Sequence, residues 1–195
     1  MFFFFRRSPN PVYEAARRGD SEQVRHHLEQ GVSPHHRGSR GQTALHYACG
    51  LNLQEMIADL LKYKANPNET DHRGLTPLLL AIYVGNTNIV TYLLSNGAHY
   101  HIGMPGGYTP LCLAAALGDL VSISRLLDAG APLSSRYNNG YCPYIEAALH
   151  GHFDAYHHLL CYRRQAIQPK SQTNKRRFES LEIESPPSKK NPRWW

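Results

Sequence analysis

Twelve histidines and four cysteines are the side chains of this 195-residue chain best suited to chemistry. Imidazoles and thiolates are the usual zinc ligands, and a structural zinc site gathers four of them at short, fixed spacings. Ten of the histidines fall as His26-His27, His35-His36, His99 with His101, His150 with His152, and His157-His158, and no C-x-x-C pair accompanies them. Neighbouring residues of a helix point to different faces, so the doublets make poor chelates. Cys49, Cys112, Cys142 and Cys161 stand singly. Cys49 and Cys112 lie in apolar segments and read as small hydrophobes of a reduced, intracellular chain, with no disulfide framework. The glycine-rich stretch GMPGGY at 103–108 lacks the Lys-Ser/Thr ending of a phosphate loop. No serine or cysteine sits in a nucleophile motif. The expectation is a chain that is not an enzyme and holds no metal or other cofactor.

The elements that carry these residues are set by a period. Leu28, Leu61, Leu94, Leu127 and Leu160 stand 33 residues apart. Ala15, Ala48, Ala81, Ala114 and Ala147 keep the same step, as do Gly41, Gly74, Gly107 and Gly140. Three columns locked in phase mean a repeat architecture. Thr43, Thr76 and Thr109 suit helix N-caps, where a side-chain oxygen meets an orphan N–H. Pro77 and Pro110 then take the first helical position, which tolerates a missing N–H. Alanine in the fixed column lets helices approach. Leu93-Leu94 and Leu126-Leu127 close a second helix, and Gly97 and Gly130 end it in a left-handed turn. The column of Leu61, Leu94 and Leu127 is expected in the core. In the first copy Gln23 and His27 replace Met56, Ile89 and Leu60, Leu93, as suits an outer cap. In the last, Cys142 replaces the capping threonine and Tyr144 a leucine.

The clearest copies are GLTPLLLAIYVGNTNIVTYLLSNGA at 74–98 and GYTPLCLAAALGDLVSISRLLDAGA at 107–131, with GQTALHYACGLNLQEMIADLLKYKA at 41–65 a third. They resemble the ankyrin repeat, including its Thr-Pro-Leu-His box, here Thr43-Ala44-Leu45-His46 and Thr76-Pro77-Leu78-Leu79. The resemblance implies an all-α solenoid of five helix-turn-helix units with hairpin loops over residues 8–164. The units run approximately 8–40, 41–73, 74–106, 107–139 and 140–164. A short apolar and basic arm, 1–7, precedes them, and a disordered basic tail, 165–195, follows. For His46 it implies a bond within the hairpin–helix junction.

It also implies that a partner protein binds the concave face, at positions flanking the hairpin glycine and ending the first helix. In the first repeat these are Arg17 and Arg18. The second offers Ser39, Arg40, Gln42, Gly50 and Leu51, and the third His72, Arg73, Leu75, Tyr83 and Val84. The fourth offers Pro105, Gly106, Tyr108, Ala116 and Leu117. The fifth offers Asn138, Asn139, Tyr141, Leu149 and His150. Arginines crowd the first half of this set; tyrosines and aliphatics fill the second. Arg and Tyr dominate interface hot spots. The fitting partner carries acidic groups beside bulky apolar ones.

Composition adds bounds. The net charge is +6, with 14 basic and 12 acidic side chains in 1–164 but 7 basic and 3 acidic in 165–195. Arg176-Arg177, a spacer, then Lys189-Lys190 and Arg193 resemble a bipartite nuclear-localisation signal, which an import adaptor would read. Ser185-Pro186 and Ser8-Pro9 are candidate phosphosites, and phosphate at Ser185 would add negative charge beside Lys189 and Lys190. The four phenylalanines at 2–5 are too few to anchor a membrane, and no apolar run is long enough to span one. The expectation is a monomeric scaffold or adaptor in the nucleus or cytoplasm of a eukaryotic or host cell. The alternatives are a nucleic-acid-associated regulator using the basic tail, and a stoichiometric inhibitor of a partner enzyme.

Overall fold

A computed structural model describes residues 10–133 and 142–167. The phenylalanine arm, Ser8-Pro9, Asn138, Asn139, Tyr141 and the tail residues from Arg176 to Trp195, Ser185 included, lie outside the described residues. The regular structure of the described residues is almost wholly helical, and the fold class is that of an all-α repeat solenoid. Five helix pairs follow one another: α1 (Pro11–Arg18) with α2 (Ser21–Glu29), α3 (Ala44–Gly50) with α4 (Gln54–Lys62), α5 (Pro77–Val84) with α6 (Thr87–Ser95), α7 (Pro110–Leu117) with α8 (Leu120–Asp128), and α9 (Pro143–Leu149) with α10 (Phe153–Ile167). The last helix runs past Arg164, where the 33-residue pattern stops in sequence. The chain divides into two compact units, Met1–Pro105 and Gly106–Trp195.

Local chemistry explains where most of these helices start. Thr76 Oγ1 accepts from the Leu79 N–H at 3.2 Å, and Thr109 Oγ1 from the Cys112 N–H at 3.4 Å. Pro11, Pro77, Pro110 and Pro143 each take the first turn. Cys142 supplies no side-chain cap to α9, as its chemistry predicts. Second helices are capped by Asp20, Asn86 and Asp119, whose Oδ1 atoms accept from Gln23, Ile89 and Ser122 N–H at 3.0–3.1 Å.

Between the helices of each pair runs a column the sequence reading passed over. Gly19, Asn52, Gly85, Gly118 and Gly151 all have φ between 61° and 79°. Each ends a first helix in the left-handed region, where glycine is favoured and asparagine tolerated. Gly97 and Gly130 close second helices with φ of 85° and 95°, and Lys64 takes the same place at 66°.

The core corrects one expectation. The alanine column is fully buried, as is Leu28, and Leu127 is buried. Leu61, Leu94 and Leu160, however, are only half-buried. The side chains that fill the core stand one residue earlier: Leu60, Leu93, Leu126 and Leu159, each at 0% exposure. Adjacent helical residues are about 100° apart, so of a Leu-Leu pair one member faces the core squarely and the other lies at its margin.

Candidate functional site

In the unit Met1–Pro105 the hairpins are built and then stacked by backbone bonds. Gly38 N–H donates to Gln42 O and Asp71 N–H to Leu75 O, both at 2.9 Å, closing two loops. His72 N–H then donates to Arg40 O at 3.0 Å, joining one loop to the next. A Cβ at Gly41 would meet the His72 ring at 2.6 Å, and one at Gly74 would meet Pro105 at 2.5 Å. His72 and Pro105, expected as contact residues, are thus exposed but also hold the neighbouring hairpin. Asp71 is buried; its Oδ1 accepts from Arg73 and Leu75 N–H, each at 2.9 Å.

His46 ties helix to hairpin. Its Nδ1 accepts from the Thr43 N–H at 3.1 Å and lies 2.8 Å from Thr43 Oγ1. That leaves the proton on Nε2, which donates to Leu75 O at 3.0 Å. Burial holds this imidazole below the usual histidine pKa, against the opposing pull of the Leu75 carbonyl and Asp71. The expected junction bond is present, and it reaches the next repeat.

Around this scaffold the candidate residues divide. Arg18 and Arg40 are exposed. Arg17 is exposed but bonds Glu14 at 2.9 Å, and Arg73 lies 3.4 Å from Asp71 Oδ2. Gln42 and Leu75 are half-buried parts of the hairpins. Tyr83 is 71% exposed, and Leu51 and Val84 are exposed beside it in the repeat register. Ser39 and Gly50 are exposed as well.

The unit Gly106–Trp195 treats its candidates differently. Tyr108 is half-buried, and its hydroxyl donates to Glu146 Oε2 at 3.5 Å. Glu146 itself is buried, with His150 Nδ1 3.7 Å from the same oxygen. Burial pushes the Glu146 carboxyl above its usual range, while His150 and the Tyr108 hydroxyl pull it back. Burial, then Glu146, pushes the Tyr108 phenol up as well. Leu117, Leu149 and His150 are exposed, as expected, and so is Gly106. Ala116 is buried, which removes it from any contact set. Sequence reasoning missed Glu146, because nothing local announces that Tyr108, 38 residues away, will meet it.

Among the described residues no group of three His, Cys, Asp or Glu side chains could hold a metal. Cys49, Cys112 and Cys142 are free and buried, and Cys161 is free and exposed. No described helix is long and apolar enough to cross a membrane.

No curated protein matches the chain. Two family matches do: ankyrin repeats in three copies over residues 12–104, and a single ankyrin repeat over 106–138. Ankyrin repeats are generally protein–protein interaction modules, typically without catalysis. The α9–α10 pair that follows in the structure keeps the same order of proline, alanine and left-handed turn, without the side-chain cap. Matched over more than half of its length, and built of such pairs in the structure, the chain belongs to the ankyrin-repeat family.

Proposed function

We propose that this chain is a non-catalytic adaptor whose first-helix and hairpin face in the unit Met1–Pro105 captures a partner protein. The partner presents acidic groups beside a bulky apolar one. The observation that carries this reading is Tyr83. A tyrosine 71% exposed at the end of α5, with Val84 exposed next to it in sequence and Leu51 exposed at the place of Val84 one repeat earlier, has no role in the core. Arg18 and Arg40 supply cationic groups that make no ion pair among the described residues, and Arg17 and Arg73 add partly engaged ones. Aromatic anchors rimmed by arginine are the usual energetic centre of an interface.

The test uses the whole chain as bait and measures the affinity of whatever protein it captures. Tyr83→Ala should weaken the complex by about 2 kcal/mol, roughly thirtyfold, with the circular dichroism spectrum unchanged. Tyr108 is not a clean probe, because its hydroxyl also supports Glu146. An affinity that does not respond to Tyr83→Ala places the partner on another surface.

A further inference from the structure

The second helices of the unit Gly106–Trp195 open on apolar residues where those of the other unit open on polar ones. α2, α4 and α6 open with Ser21-Glu22, Gln54-Glu55 and Thr87-Asn88. α8 opens with Leu120-Val121 and α10 with Phe153. Val121 is 50% and Phe153 55% exposed, and Leu117, Leu120 and Leu149 are exposed around them. The polar versions make the same left-handed turn, so the turn itself does not require these groups.

The two turns that carry these side chains meet. A Cβ on Gly118 would lie 2.6 Å from the His152 ring, so the α7–α8 and α9–α10 turns touch. One turn further along, Ser124 Oγ meets His158 Nε2 at 3.0 Å. Carboxylates flank the patch. Asp154 is exposed beside Phe153. Asp119 caps α8 through Oδ1, while its Oδ2 is shielded and has no hydrogen-bond partner among the described residues. Arg125 lies one turn beyond Val121 on α8. Contiguous exposed apolar groups rimmed by polar ones mark a surface that something covers.

We propose that the occupant is a segment of this same chain, Arg193-Trp194-Trp195. Its chemistry fits. These are the only two tryptophans of the 195 residues, and they follow Lys189, Lys190 and Arg193. An aromatic pair beside cations complements an apolar edge beside carboxylates. The reach also fits. α10 leaves the patch at Phe153 and runs for 15 residues, about 22 Å. The chain from 168 to 194 can span up to about 90 Å, ample for a return. A tethered segment docks at an effective concentration that a free peptide seldom reaches. This proposal stands independently of the partner face in the other unit.

Tryptophan emission of the full chain reads the docking directly, because no other residue contributes to it. The expected spectrum is blue-shifted from that of a synthetic peptide of residues 185–195, and iodide quenches it several-fold less. Val121→Asp and Phe153→Ser are exposed positions, so the fold should survive them; together they should return both readouts to the free-peptide values at unchanged circular dichroism. A wild-type spectrum equal to the peptide's overturns the proposal, as does a blue shift that the two substitutions leave intact. A blue shift that fades on dilution assigns the patch to a second copy and overturns the intramolecular reading. In a full-length Trp194→Ala/Trp195→Ala variant, the free peptide should bind, and the two patch substitutions should abolish that binding.

Discussion

The two units of this chain join neighbouring repeats with different side-chain chemistry. In the first, the box position is His46, a neutral imidazole whose two nitrogens both find backbone partners, on Thr43 and Leu75. In the second, that register holds Cys112, whose sulfur accepts a weak hydrogen bond from Thr109 Oγ1 at 3.4 Å. The second unit also buries Glu146, a carboxyl taken out of water and supported at 3.5 Å by the Tyr108 hydroxyl. In the first unit Arg37 also spans repeats, to Glu69 at 2.9 Å and to the Thr70 carbonyl. One architecture therefore admits, as the polar latch between neighbours, an imidazole bonded to backbone or a buried carboxyl held by a tyrosine hydroxyl. The helix pair is set by caps, glycines and alanines; what joins one pair to the next is free to vary.

The largest test of this contrast is whether the apolar cores really are alike. Leu93→Ala in α6 and Leu126→Ala in α8 remove equally buried side chains and should each cost about 2–5 kcal/mol, read from denaturant midpoints. Leu94→Ala, at a half-buried position, should cost clearly less than Leu93→Ala. Unequal losses at Leu93 and Leu126 would place the difference between units in the core rather than at the junctions.

A smaller effect isolates the latch. His46→Leu copies what Leu79 does one repeat later, but leaves the Leu75 carbonyl and the Thr43 N–H without their imidazole. It should cost about 1–3 kcal/mol. Cys112→Ala removes a buried sulfur of methylene size and should cost about 1 kcal/mol. If the thiol proves the more expensive loss, the polar-latch account of the first unit is wrong.

The subtlest comparison is with pH. His46 titrates below the usual 6.5 because burial disfavours its charged form. Its contribution is complete above 6.5 and is lost as pH falls through the lower folded value. Asp71, Arg37 and Glu69 are the charges that face it. Glu146 runs the other way. Its folded pKa lies above the usual 4.5, so its contribution is complete below 4.5 and is lost as pH rises through the folded value. His150 and Tyr108 are the groups that face it. Mild acidification should thus weaken the first junction and relieve the second. His46→Leu should remove the first dependence and Glu146→Gln the second, each measured as the stability difference from wild type across pH 4–7.

Most of the fold was legible because the repeat writes each element five times. Caps, prolines and the alanine column are local and could be read one residue at a time. The choice between Leu93 and Leu94 was not, because both columns share the period and only three-dimensional phase separates them. Asn52 hid the left-handed turn column: a search for glycine alone finds Gly19, Gly85, Gly118 and Gly151 with a gap. The candidate site was legible where exposure follows from position, as at Tyr83, Arg18 and Arg40. It failed where a distant residue intervenes. Tyr108 reads as a hairpin tip until Glu146 arrives from another repeat, and Ala116 reads as a contact until burial removes it.

The thiols give the molecule a built-in clock. Cys49 lies in the first unit and Cys112 and Cys142 in the second, all buried, and burial pushes the thiols of Cys49 and Cys112 up. A sulfhydryl reagent meets Cys161 at once, and the other three only when the backbone around them opens. The rate of modification at Cys49 therefore times the breathing of one unit, and the rates at Cys112 and Cys142 that of the other, with Cys161 as the internal zero on the same polypeptide.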